Sequence, residues 1–210
     1  MRIVLIGPVY PYRGGIAHYT TRLAQAIREE GHELLMVSFK RQYPRFLYPG
    51  KSDRDPSQEV ERTKAEFVLD PLYPWTWQRA LRQIKEFAPN MVVIQWWTTF
   101  WAPAFWWIAR KLKNACKVIF LIHNVIPHEA RFFDEWLARW TLSEANGFIV
   151  QAESQREKLK KLLPWADPLL VEHPLYDQFA EKRMDKGEAR RRLGLPEDRR
   201  VLLFFGIVRP

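Results

Sequence analysis

Three short stretches of this chain carry residue types that can do chemistry. Gly14-Gly15 stands between the apolar run Arg2 to Gly7 (RIVLIG), with the turn Pro8 to Arg13 (PVYPYR), and a segment of helical spacing. A glycine loop at a helix start exposes backbone N–H groups, and a diphosphate can approach it closely. Taken alone, such a pair is also an ordinary turn. His123-Asn124 follows the run Lys117 to Ile122 (KVIFLI). A histidine at the carboxyl end of a central strand can donate to a sugar hydroxyl or a phosphate, and it titrates near neutral pH. The alternative is a loop histidine satisfied by nearby backbone. Glu153-Ser154 follows the run 147–151 (GFIVQ). Capping is the default role of this pair, with Ser154 and Glu157 at capping-box spacing, and ligand contact comes second.

Aromatic residues gather at Trp96, Trp97, Phe100, Trp101, Phe105, Trp106 and Trp107. Core packing claims most of them. Trp96, Trp97 and Trp101, in the loop after a strand, are candidates for stacking on a sugar or holding a lipid tail. Acidic residues are scattered, with no pair that marks an acid/base couple. His123 and His128 lack a metal-ligand spacing, so no metal is expected. The chain has no G-x-G-x-x-G, and its second strand ends in Phe39-Lys40 rather than in an acid, which weighs against a nicotinamide cofactor. Gly50-Lys51-Ser52 copies the tail of a P-loop, but Arg45 stands where the earlier glycine belongs.

The elements that must position these residues alternate. Strands are expected at 2–6, 33–38, 91–95, 117–122, 147–151 and 168–172, with a weak one at 66–69. Helices follow the glycine pair (Ile16, Tyr19, Leu23 and Ile27 on one face, Gly31 the stop) and lie at 75–88, 103–113 and 131–144. Another begins at Ser154, and a short one spans 188–193. The helix at 131–144 is expected to bury Phe133, Trp136, Leu137 and Trp140. Continuous apolar strands alternating with helices mean a doubly wound parallel α/β sheet covered on both faces. Residues 40–65 have no clear period and read as an irregular excursion or a flap over the ligand edge. Arg190, Arg191 and Arg192 read as a solvated helix face, with phosphate contact the alternative. His173-Pro174 reads as a structural turn. Val201 to Val208 (VLLFFGIV) reads as a buried strand that opens a second domain, the alternative being an added strand of the first sheet.

Bulk properties narrow the class. The 210 residues are 47% hydrophobic with a formal charge of +9, which suits an anionic partner such as a nucleotide phosphate or an acidic membrane face. The single cysteine, Cys116, rules out an internal disulfide framework. Met91 to Ala109 carries no charge, yet Gln95, Thr98, Thr99 and Pro103 make it a strand, loop and helix rather than a membrane span. There is no secretory signal pattern, and a cytoplasmic location is expected. The basic residues form no nucleic-acid module.

Four of these pieces, in order, resemble the amino-terminal half of a GT-B glycosyltransferase of the retaining class called glycosyltransferase family four. They are RIVLIGPVYPYRGGIAHYTTRLAQAIREEGHEL, FLIHN, FIVQAESQREKL and ARRRLGLPEDRRVLLFFGIVRP. The resemblance implies a Rossmann-like acceptor-side domain at 1–175, a linker and helix at 176–200, and the first strand of a donor-binding domain at 201–210. It implies Gly14, Gly15 and Arg209 on the donor diphosphate and His123 beside the transferring sugar. Tyr10, Tyr12, Arg13, His18, Trp96, Trp97, Trp101 and Asn124 would shape the acceptor site, with Glu153 and Ser154 secondary. The activity implied is metal-free, retaining transfer from a nucleotide-sugar to a lipid-linked or envelope glycan, possible at the inner membrane face. The family's downstream lysine and glutamates have no counterpart here, so the chain alone is expected to bind nucleotide weakly and transfer no sugar. Two alternatives are a non-catalytic membrane-surface or glycan-binding module and another Rossmann-type nucleotide-binding enzyme.

Overall fold

The computed structural model describes residues 1–43, 52–57, 61–127, 131–174 and 184–204. Along the chain run β1 (Arg2–Ile6), α1 (Gly15–Glu29), β2 (Glu33–Phe39), β3 (Glu66–Leu69), α2 (Pro74–Phe87) and β4 (Met91–Trp96). A 3₁₀ turn (Thr99–Trp101) leads into α3 (Ala102–Leu112). Then come β5 (Lys117–Ile122), α4 (Asp134–Leu142), β6 (Gly147–Val150), α5 (Glu153–Leu162), β7 (Leu169–Leu170) and α6 (Lys186–Arg192). Seven strands form one sheet in the order β3-β2-β1-β4-β5-β6-β7, and every pairing is parallel. The chain steps outward from β1 to β3 and then crosses back to β4. The boundary between β1 and β4 is therefore the point where the strand order reverses, and open α/β sheets hold their ligands outside the carboxyl ends at such a point.

The expected parallel α/β class is the observed one, for the reason the strand sequences give. Alternate residues of each central strand enter two different cores. Val4, Ile6, Val92 and Ile94 pack on one face with α2, α3 and α4, while Ile3, Leu5 and Val93 pack on the other with Tyr19, Leu23 and Ile27 of α1. Burial on both faces leaves no polar side for these strands. Glycine stops α1: Gly31 takes φ 77° after the last turn, a conformation that costs other residues more. Pro74 opens α2.

Four expectations need correction. The helix expected from 131 starts at Asp134, whose carboxylate accepts from the Thr99 hydroxyl and from the Arg131 N–H (2.6 Å). It buries Ala138, Thr141 and Leu142 rather than Trp136, which is 62% exposed. Small side chains win that face because α3 comes close enough for the Thr141 hydroxyl to donate to the Ala102 carbonyl (3.2 Å). The capping box at Ser154 does not form, because Ala152 takes the cap position and the helix begins one residue early. The strand expected at 168–172 is reduced to two residues. Val201 to Phe204 form no strand and are exposed, since no described strand offers them a ladder, and 205–208 lie outside the described residues.

The chain divides into Met1–His173 and Pro174–Pro210. Within the second unit the Asp185 carboxylate caps α6 through the N–H groups of Gly187 (2.8 Å) and Glu188 (3.2 Å). Arg190 donates to the carbonyls of Pro196 (2.5 Å), Glu197 (2.5 Å) and Arg199 (2.9 Å), so it organises the following turn. Arg191 and Arg192 pair with Glu197 and Glu188.

Candidate functional site

The carboxyl ends of β1, β4, β5 and β6 bring a small polar group together. β1 runs out at Gly7, where a Cβ would stand 2.5 Å from Cγ of Gln95 and 3.3 Å from Cγ2 of Thr20. The bare glycine is what lets the Gln95 side chain lie across the strand end. Gln95 is fully buried, and its Oε1 lies 2.5 Å from Nε2 of His123. The His123 backbone N–H donates to the Trp96 carbonyl (2.9 Å), which extends the β4–β5 ladder by one residue and fixes where the ring projects. Tyr19, on α1, meets the imidazole edge-on at 5.3 Å and also lies 5.2 Å from the His173 ring.

Burial lowers the His123 pKa from 6.5 to about 4, because the charged ring is stripped of water. The nearby His173 pushes it the same way, and a hydrogen bond with Gln151 opposes both. The ring is therefore neutral at pH 7. The neutral ring faces the Gln95 amide through Nε2, and its one unprotonated nitrogen is an acceptor. Such a ring can hold a hydroxyl of a bound sugar without adding charge. The amide nitrogens of Gln95 and Gln151 and the hydroxyl of Ser38, all buried atoms, have no hydrogen-bond partner among the described residues. Buried polar groups are rarely left so, and these three lie at the carboxyl ends of β4, β6 and β2.

The glycine pair is joined to this group through α1. Gly14 caps the helix at φ 121°, ψ 166°, no side chain caps the helix, and a Cβ at Gly14 would meet nothing within 4 Å. Gly15 and Tyr19 are one helical turn apart on the same face, so the opening turn of α1 continues into the ring that touches His123.

The other anticipated residues divide between core and surface. Tyr12 is core: its hydroxyl donates to the Phe39 carbonyl (2.7 Å), and burial pushes its phenol above the ordinary range. Trp96 and Trp101 are fully buried and donate to the carbonyls of Val125 (3.0 Å) and Gln42 (3.1 Å). These three pack the interior and do not line a ligand surface, because the loop after β4 folds inward as a 3₁₀ turn over Phe39 and Phe105. Trp97 is nearly buried and donates to the Tyr43 hydroxyl (2.6 Å). Tyr10 is half-buried beneath the Arg62 guanidinium (4.5 Å to the ring), and the exposed Arg13 donates its backbone N–H to Asp53 (2.8 Å). Thus 52–57 of the irregular segment lies along the Pro11–Arg13 loop, while 44–51, with Gly50 and Lys51 of the P-loop mimic, lies outside the described residues. His18 and Asn124 are half-buried. Glu153, at the start of α5, pairs with Arg156 (3.5 Å), and Ser154 is exposed beside it. Arg209, His128 and Glu129 lie outside the described residues.

Gly7, Gln95 and Gln151 were not singled out as site residues. The signal for Gln95 and Gln151 is a lone polar residue ending an apolar run, MVVIQ and FIVQ, as His123 ends FLIH. Among the described residues no cluster of three or more His, Cys, Asp or Glu could hold a metal ion.

Residues 14–174 match the family described as the glycosyl transferase 4-like domain. No curated protein sequence matches the chain. Among solved structures, an alpha-glucosyltransferase in complex with UDP and a 13-mer DNA containing a HMU base superposes with a TM-score of 0.53 at 13% identity, over 83% of this chain and 43% of that one. The UDP-GlcNAc 2-epimerase of Methanocaldococcus jannaschii superposes with a TM-score of 0.51 at 12% identity, over 81% of this chain and 45% of that one. Identities this low speak for the fold alone. The chain spans less than half the length of either structure.

Proposed function

This chain belongs to the glycosyl transferase 4-like domain family, and from that premise we propose that it forms the acceptor-side half of a GT-B enzyme that moves a sugar from a nucleotide-sugar to a hydroxyl acceptor. The observation that carries the reading is His123, held neutral and oriented by Gln95 beside the β1/β4 reversal and tied through Tyr19 to the glycine-led start of α1. In the reaction the bond between the anomeric carbon and the donor diphosphate breaks. A bond to the acceptor oxygen forms on the same face, and the acceptor proton leaves with the departing phosphate oxygen. The positive end of the α1 dipole favours the developing phosphate charge. His123 holds a hydroxyl of the transferring sugar through hydrogen bonds only, which suits a ring that carries no charge at pH 7.

In this reading the diphosphate is neutralised by protein groups without a metal, and a donor-binding half completes the cleft. The surface left to the acceptor is that of Tyr10, Arg13, His18 and Asn124. The acceptor is a lipid-linked or envelope glycan at the inner membrane face.

The test is transfer by the full-length protein that carries this domain, supplied with a panel of nucleotide-sugars and a membrane extract. The expected result is acceptor-dependent release of nucleoside diphosphate, with His123→Ala lowering kcat by roughly a hundredfold. Unchanged transfer by that variant would overturn the role of His123. Epimerisation of the donor sugar without any transfer would overturn the reaction class.

A further inference from the structure

Beyond β3 the chain carries two large aromatic residues that the core does not use. Tyr73 is 39% exposed and Trp75 is 65% exposed. Their rings lie 4.6 Å apart with planes 33° apart, and the Arg41 guanidinium sits over Tyr73 at 5.6 Å. Every strand pairing is parallel, so the end of β3 at Leu69 lies on the same carboxyl edge that carries His123. The Lys40 N–H donates to the Leu69 carbonyl (2.7 Å) and brings the end of β2, with Arg41, alongside.

One buried residue holds the pair in place. The Asp70 carboxylate accepts from the Leu72 N–H (3.1 Å) and pairs with Nε of Arg41 (3.2 Å). The Asp70 carbonyl accepts from the Trp77 indole (2.7 Å), and the Asp70 N–H donates to the Thr76 hydroxyl (3.1 Å). The turn and the start of α2 are thus fixed before any ligand arrives, which lowers the ordering cost of binding. Two adjacent rings left exposed on a fixed turn form a patch of the kind that marks a binding site.

The chemistry there suits a sugar. An aromatic face carries partial negative charge and meets the C–H face of a pyranose, while the hydroxyls need hydrogen-bond partners at the rim. Arg41 stands at that rim: of its N–H groups Nε pairs with Asp70, and the side chain is 40% exposed. Among the described residues the Trp75 indole donates to no protein oxygen, whereas that of Trp77 in the same helix does. One turn further along α2, Gln78 and Arg79 are exposed. The apolar area is bounded on that side, as a sugar ring requires and a bilayer does not.

We propose that Tyr73 and Trp75 stack a sugar ring of an oligosaccharide, with Arg41 donating to its hydroxyls. Trp96 and Trp101, expected to stack on a sugar, are buried, and Trp97 nearly so, and this pair takes that place. Four strand spacings separate β3 from β5 in the sheet, about 19 Å. A glycan that reaches from Trp75 to His123 is therefore several units long. That this glycan is the acceptor rests on the transfer reading, whereas the stacking itself does not.

The test is titration of the full chain with oligosaccharides of glucose, galactose, mannose and N-acetylglucosamine, followed by nitrogen-15 shifts of the tryptophan side chains. The Trp75 indole is expected to move, and those of the buried Trp96 and Trp101 to stay. Trp75→Ser, which changes one exposed side chain, is expected to bind about tenfold more weakly, and Trp75→Ser/Tyr73→Ser more weakly still. Trp165→Ser, at another exposed tryptophan, is expected to bind as the wild type does. In transfer by the full-length protein, Trp75→Ser is expected to raise KM for a long acceptor about tenfold relative to a short one. The proposal is overturned if no oligosaccharide moves the Trp75 indole, or if Trp75→Ser binds equally. It is also overturned if phosphatidylcholine vesicles or a second copy of the chain move that indole and the sugars do not. No sugar donor enters the titration, so its failure would leave the transfer reading standing, and a failed transfer assay would leave the titration standing.

Discussion

At its amino edge the sheet is closed by asparagines. The Asn90 side chain accepts from Arg2 N–H (2.8 Å) while its backbone bonds Arg2 and Lys117. Asn146 does the same for Val118, accepting through its side chain (2.8 Å) and donating through its backbone (2.8 Å). The carboxyl edge is finished in the opposite way. Ser38, Gln95 and Gln151 leave buried polar atoms unpaired there, and His123 is kept from its charge. Unpaired buried polar atoms destabilise a fold, and although others occur at Arg2, Gln83, Glu144 and Arg156, the three beside the strand reversal support the proposed ligand edge.

The contrast can be broken most strongly at Gly7. Replacing it with valine drives a side chain into Gln95, so Gly7→Val is expected to lower stability by roughly 3 kcal/mol in denaturant melts and to dislodge His123.

Acid acts next. The unfolded imidazole takes a proton near 6.5 and the folded one only near 4, so between these values the unfolded state binds more protons. The stability that the neutral ring keeps is fully present above pH 6.5 and is lost as pH falls to about 4. The loss is on the order of 2–3 kcal/mol, and His123→Leu is expected to flatten that slope.

The amino edge supplies the converse. Asn146→Ala is expected to cost about 1–2 kcal/mol of stability and to leave transfer by the full-length protein unchanged, as measured side by side. Gly14→Ala is expected to be the mildest. With open space around the new methyl, only the positive φ opposes it, about 1 kcal/mol in the same melts.

Much of the fold was legible because apolar runs with no polar face have only one home, a sheet covered on both sides. The weak run 66–69 forms its strand at that very span, paired with β2. What periodicity could not give was the rotation of α4. Its aromatic residues share a helical face as well as its small ones do, and the close approach of α3 chose the small ones. The same limit applied after β4, where Trp96 and Trp101 follow a strand end and only the path of the 3₁₀ turn sends them inward. Of the candidate site, the histidine and the glycine pair can be singled out from the sequence. Its supports cannot, because Gly7, Gln95 and Gln151 become meaningful only once the strand order sets β4 between β1 and β5 and places β6 beyond β5.

The most direct test of a carboxyl edge held ready for a ligand is the titration of the His123 ring, followed by nitrogen-15 and carbon-13 chemical shifts in the intact chain. The ring is expected to stay neutral down to about pH 4. A midpoint at the ordinary 6.5 would contradict the account.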